Sequence, residues 1–199
     1  MDIPKNVKIL AAAKGRSAEE VQKIIDSGIT IVGENYVREA KEKKPKLKGE
    51  FEYHFIGHLQ KNKVRDAIRL FDMIQTVDSF SISEEISKRV ERPYPVLIEV
   101  NSGEEKGKFG VMPDKVIGLV RQISALPNIK IKGLMTMGPK ESPRNAFRET
   151  RKLFDKIKYL KMPNVKMEIL SMGMSDSYKI AIQEGATMVR IGRVLFIRG

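Results

Sequence analysis

Lys14 closes the apolar run Ile9-Leu10-Ala11-Ala12-Ala13 and is followed at once by Gly15. An amine at the end of a buried strand is stripped of water, which favours its neutral, nucleophilic form, and such an amine condenses with a carbonyl to a Schiff base. The alternative is a lysine just beyond the strand with its ammonium in water, and the run by itself leaves both open. Further residues able to do chemistry close other apolar runs: Glu34-Asn35, Gly57-His58, Asp78, Asn101, Met137, Ser171 to Ser175 and Arg190 to Arg193. Singly, Asn35, Asp78 and Asn101 read equally well as strand-end turn formers. Their recurrence at successive strand ends is the stronger signal.

The elements that must hold these residues can be read from periodicity. Apolar, β-branched runs recur at Val7 to Ala13, Thr30 to Gly33, Tyr53 to Ile56, Met73 to Val77, Val96 to Val100, Ile129 to Met137, Met167 to Met172 and Met188 to Ile191. Helical spacing is found at Ala18 to Asp26, Lys61 to Phe71, Ile82 to Arg89, Pro113 to Leu126, Arg144 to Leu160 and Asp176 to Glu184. Ser17, Ser79 or Ser81, and Ser175 are suitable helix caps. The spacing leaves room for one helix per crossover, so parallel strands are expected. A single domain over residues 1–199, an α/β (β/α)8 TIM barrel, fits this order, with a doubly wound open sheet as the other candidate. Both architectures bind ligands beyond the carboxyl ends of the strands.

Two of those ends suit an anion. Ser171-Met172-Gly173-Met174-Ser175-Asp176 offers a close-approaching backbone and a helix start, and Gly192 follows the eighth run before Arg193. Barrels often hold phosphate with the loops after strands seven and eight. First and eighth strands are neighbours in a closed barrel, so an amine at Lys14 and a phosphate cradle here describe a site for a phosphorylated carbonyl compound. Pyridoxal phosphate and a sugar phosphate both fit that description.

Lys and Arg number 37 against 25 Asp and Glu, a net charge of +12, which favours anionic partners. The segment from Lys41 to Lys48 reads as a solvated linker, and Lys61, Lys63, Arg65 and Arg69 as the solvent face of a helix. A nucleic-acid interface is not favoured, since the chain offers no known motif and few aromatic residues for stacking. With no cysteine, no signal-like start and no long apolar stretch, a reducing cytoplasm is the expected location and no membrane contact is expected.

The longer motifs match a known group. His54-Phe55-Ile56-Gly57-His58-Leu59-Gln60-Lys61-Asn62-Lys63, Gly33-Glu34-Asn35-Tyr36 with Glu39-Ala40, and the alanine-rich run into Lys14 are among them. Others are Glu99-Val100-Asn101, Lys106 to Gly110, Gly133 to Met137, Leu170 to Asp176 and Val189-Arg190-Ile191-Gly192. In this order they resemble the YggS and PROSC group of pyridoxal phosphate-binding proteins, the pyridoxal phosphate homeostasis proteins. The resemblance implies a barrel like the amino-terminal domain of alanine racemase, with Lys14 as the internal aldimine lysine. It also implies Arg190 at the pyridine nitrogen, Ser175, Gly192 and Arg193 at the phosphate, and Asn35, His58 and Met137 around the ring. An arginine donates to that nitrogen without protonating it, which would make the cofactor a poor electron sink.

The expected function is therefore binding of pyridoxal 5′-phosphate for cofactor homeostasis and amino-acid and keto-acid balance. Delivery to pyridoxal phosphate-dependent apo-enzymes and a monomeric state go with it. Weak amino-acid racemase or eliminase activity, or another pyridoxal phosphate-dependent reaction, is the enzyme alternative, with Tyr36 and His58 as the available acid or base. Three departures from the group stand out: about seven residues precede the first strand where most members have a further helix, Arg193 occupies a position usually held by a small hydroxyl residue, and Ile197 follows Phe196 where glycine is common.

Overall fold

Every one of the eight apolar runs forms a strand, and the strands close in chain order into a parallel barrel, β1 pairing with both β2 and β8. The computed structural model describes residues 2–196. The strands are β1 (Lys8–Ala12), β2 (Ile31–Glu34), β3 (Glu52–Phe55), β4 (Met73–Val77), β5 (Tyr94–Glu99), β6 (Ile129–Met135), β7 (Val165–Ser171) and β8 (Met188–Ile191). The helices are α1 (Ala18–Asp26), α2 (Val37–Lys43), α3 (Val64–Leu70), α4 (Phe80–Arg89), α5 (Val116–Ser124), α6 (Pro143–Tyr159), α7 (Tyr178–Gln183) and α8 (Arg193–Phe196). The closed barrel is the expected fold, and the open sheet is excluded. The departure noted at Ile197 lies outside the described residues.

Strand alternation sorts the residues between two cores. Outward positions such as Val32, Tyr53, Phe55, Ile74, Val96, Ile98, Leu134 and Val189 pack with the helices in the main cluster. Inward positions form two small apolar groups, Leu10 with Ile31, Ile56 and Met188, and Met73 with Leu97 and Met135. Gly33 packs against the first of these, where a Cβ would lie 2.4 Å from Leu10 Cδ2 and 3.0 Å from Ile56 Cδ1. Polar side chains occupy the remaining interior: His54, Gln75, Glu99, Ser171 and Arg190 are all buried.

Local signals account for several helix starts. Ser17 accepts from the Glu20 N–H while Glu20 returns a bond to the Ser17 N–H, a reciprocal cap. Ser79, not Ser81, caps α4.

Two expectations are corrected. The segment Lys41 to Lys48 is not simply a solvated linker: it contains the end of α2 and a 3-10 turn over Lys44–Lys46, and Lys43 is buried. Ser175 is not the cap of the helix after β7, because a turn carries the chain on to Ser177 before α7 begins at Tyr178. That turn is closed by the Ser177 N–H donating to the Met174 carbonyl at 2.9 Å and by the Met174 N–H donating to Ser177 Oγ at 3.2 Å. Gly173, at φ +89°, sits so close to α7 that a Cβ would lie 2.5 Å from that of Ala181.

Candidate functional site at the barrel mouth

Lys14 stands two residues beyond Ala12, the last residue of β1, in a turn closed by the Arg16 N–H donating to the Ala13 carbonyl at 3.0 Å. Gly15 follows with φ +69°, the position at which a type II turn demands glycine. The Lys14 side chain is exposed, and its Nζ lies 5.3 Å from the centre of the Tyr36 ring. The desolvation expected at the end of a buried strand is therefore absent. What the turn provides is access.

Arg190 is the buried counterpart. It is inward-facing on β8 and only 3% exposed. Its Nη1 donates to Ser171 Oγ at 2.8 Å, and its Nη2 to the Thr136 carbonyl at 2.8 Å and to Met137 Sδ at 3.4 Å. Burial lowers its pKa to about 10, against a countering pull from Glu99, so it remains a cation at neutral pH.

The bonds continue down the barrel axis. Ser171 Oγ donates to Gln75 Oε1 at 2.8 Å, Gln75 Nε2 donates to His54 Nδ1 at 2.8 Å, and His54 Nε2 then donates to Glu52 Oε2 at 2.9 Å. Each donor meets an acceptor in one direction, from the guanidinium at the upper mouth to a half-exposed carboxylate at the lower. His54, Gln75 and Ser171 are fully buried, so each depends on the next for its hydrogen bonds.

Glu99 faces the same upper mouth. Burial, reinforced by Asp78 and opposed by Arg190, raises its carboxyl to about 7. Its Oε2 has no hydrogen-bond partner among the described residues.

The other sequence-expected residues lie beyond the carboxyl ends of the remaining strands. Asn35 and His58 line a groove of about 340 Å³ with Tyr36, Arg38 and Lys63. The His58 ring stacks on Phe109 at 3.6 Å, and its Nδ1 is 3.9 Å from Asp78 Oδ2. Met137, largely exposed, lines a second cavity of about 220 Å³ with Glu99, Asn101 and Phe109. Phe109, on the loop between β5 and α5, thus stands between the two hollows. Ser175 is partly buried in the turn after β7, and Gly192 joins β8 to α8. Arg193 is exposed and reaches Asp176 at 3.5 Å, so a charge pair links the loops after β7 and β8.

Sequence reasoning assigned no role to Gln75, Thr136, Glu99 or Lys43. The odd polarity of Gln75 within the run Met73 to Val77, and of Glu99 within Val96 to Val100, could have singled out those two. Lys61, Lys63, Arg65 and Arg69 are exposed along α3 and the turn before it, as expected of a solvent face. Among the described residues no helix is long and apolar enough to cross a membrane.

The chain is similar to known proteins. Residues 6–198 match the family described as alanine racemase, N-terminal domain. Pyridoxal phosphate homeostasis proteins of Haemophilus influenzae and Aquifex aeolicus are 36% and 40% identical, over 96% and 95% of this chain and 84% and 86% of their own. PipY of Synechococcus elongatus matches with a TM-score of 0.92 without PLP and 0.89 with PLP bound, at 29% and 28% identity. Those matches cover 98% of this chain and 94% of PipY. An alanine racemase of Clostridium difficile shares the fold, with a TM-score of 0.81 at 18% identity over 97% of this chain and 53% of that one. An eight-stranded barrel, the motifs along the whole chain and relatives of this identity agree: the chain belongs to the pyridoxal phosphate homeostasis protein family, built on the alanine racemase N-terminal domain.

Proposed function

We propose that the chain binds pyridoxal 5′-phosphate at the upper mouth of its barrel and serves cofactor homeostasis, holding the cofactor and giving it up again. The observation that carries this reading is the convergence of an exposed lysine amine and a buried guanidinium on one mouth, in a chain of this family. When bound, the cofactor supplies an aldehyde able to condense with an amine and a ring able to withdraw electrons.

The residues present fit that group. Lys14 offers an accessible amine for the aldehyde. Arg190 has five N–H donors, of which Ser171, Thr136 and Met137 engage three, so donors remain for a ring nitrogen, and arginine does not surrender its proton to it. Ser175, Gly192 and Arg193 belong to the two loops where a phosphate would lie. Asn35, His58 and Met137 would flank the ring. The whole of 1–199 would then act as one cofactor-binding domain, a cytoplasmic monomer that passes its cargo to pyridoxal phosphate-dependent apo-enzymes.

Added pyridoxal phosphate should give the purified chain a new absorbance band near the visible edge that survives gel filtration and fades on addition of an apo-enzyme. A spectrum equal to that of the free cofactor would overturn the reading. Racemisation, the enzyme alternative, needs a second acid or base across the ring from Lys14, and Tyr36 and His58 are the candidates. Turnover of an amino-acid panel at enzyme-like rates, about 1 to 1000 per second, would replace the carrier reading with that one.

A further inference from the structure

Lys43 is a buried ammonium that the proposed chemistry does not use. Its side chain is 10% exposed, and its Nζ donates to Glu34 Oε1 at 2.5 Å, to the Ala13 carbonyl at 2.9 Å and to Glu39 Oε2 at 3.0 Å. Three N–H groups meet three acceptors, so the ammonium is saturated. The same Glu39 Oε2 accepts the Gly15 N–H at 3.0 Å. Ala13 and Gly15 are the two neighbours of Lys14. One ion cluster therefore grips the chain on both sides of the lysine.

The grip comes from a single helix face. Tyr36, Glu39 and Lys43 follow one another at spacings of three and four, which aligns them along α2 and the residue before it. Tyr36 lies beside the Lys14 amine, while Glu39 and Lys43 hold its backbone. Docking of α2 does not account for the cluster, because Val37 and Ala40 already bury that helix and apolar residues dock a helix at least as well as buried charges. Burial pushes the Glu34 carboxyl up against the pull of Lys43. Burial opposes the shift at Glu39, but the Gly15 N–H and Lys43 hold that carboxyl below the usual range.

We infer that Lys43 is a positioning residue for Lys14: with Glu39 it locks the turn from Ala13 to Gly15 so that the amine is presented at the mouth. The inference rests on the reading of Lys14 as the lysine that condenses with the cofactor aldehyde. In that condensation the amine nitrogen bonds to the aldehyde carbon and the carbonyl oxygen leaves as water. A lysine arm on a free glycine turn would sample many poses. Fixing its base raises the fraction aimed at the carbonyl, and misplacement by about 1 Å can cost a reaction of this kind on the order of a hundredfold.

The test compares the parent chain with Glu39→Gln, Lys43→Met and the pair Glu34→Gln/Lys43→Met, the last avoiding an unpaired buried carboxylate. Two ligands are used. Pyridoxal 5′-phosphate, trapped with borohydride and mapped by peptide, reports condensation at Lys14. Pyridoxine 5′-phosphate, an alcohol that cannot condense, reports binding alone. In the variants, trapping at Lys14 should slow about tenfold or more while affinity for pyridoxine 5′-phosphate stays within about twofold. Unchanged trapping in the folded Glu39→Gln and paired variants would overturn the inference, as would an equal loss for both ligands. Trapping of the parent at a lysine other than Lys14 would instead remove the reading on which the inference rests.

Discussion

At the scale of the residue, the site divides its work between an exposed group and a buried one. Lys14 is reachable because it stands in a turn, and Arg190 is rigid because Ser171 and Thr136 hold two of its donors. Lys14→Ala should abolish the borohydride-fixed adduct, and mass mapping of the parent should find the adduct on Lys14. Ser171→Ala tests the buried side. It removes the hydroxyl between Arg190 and Gln75 and leaves Gln75 Oε1 without its described donor in the barrel interior. An unsatisfied buried group of that kind costs about 1 to 3 kcal/mol, so the urea midpoint should fall accordingly. A midpoint equal to that of the parent would mean that the interior chain is not held as described.

At the scale of the element, the loops after β7 and β8 are the proposed anion site, and their charges make a prediction of sign. Arg193 is paired with Asp176 across the rim, and both are exposed. Asp176→Asn removes a negative charge from that rim and releases Arg193. Exposed pairs are worth about 0.2 to 1 kcal/mol, so pyridoxal phosphate should bind a few-fold tighter at low salt and the gain should shrink as salt is added. Pyridoxal, which lacks the phosphate, should bind much more weakly than pyridoxal phosphate and gain nothing from the same substitution. Equal gains for the two ligands in titration calorimetry would show that the loops do not meet the phosphate.

At the scale of the whole molecule, the barrel carries a buried acid whose ionisation opposes folding. Burial, with Asp78 beside it, raises Glu99 to about 7 against an ordinary 4.5. The folded chain therefore holds that proton over a pH range in which the unfolded chain has released it. The favourable contribution is complete below pH 4.5, declines as pH rises and is gone above about 7. Glu99→Gln keeps the shape and removes the ionisation. Relative to the parent, the variant should gain stability on going from pH 4.5 to 8, by up to roughly 3 kcal/mol, as read from urea unfolding at each pH. Parallel stability curves for the two proteins would show that Glu99 ionises normally in the folded barrel.

How much of this was legible in the sequence follows from the range of the interactions involved. The eight strands are local features, since β-branched apolar runs bounded by turns announce themselves, and α1 was read with its observed bounds at Ala18–Asp26. The carboxyl ends were legible for the same reason, because a chain that leaves a barrel strand must do so at a definable residue. α2 was missed within its lysine-rich surroundings, and α8, only four residues long, left too short a pattern to read. The sequence by itself determined the eight strands, their parallel connection through helices and many of the polar residues at their carboxyl ends, while closure into a barrel over an open sheet was decided by the tertiary structure. Tertiary structure alone decided that Lys14 is exposed while Arg190 is buried, that Lys43 grips the turn around Lys14, and that Gln75 joins His54 to Ser171. These contacts join residues from different strands and helices, and which of them meet is set by closure of the barrel and the inward or outward parity of each strand.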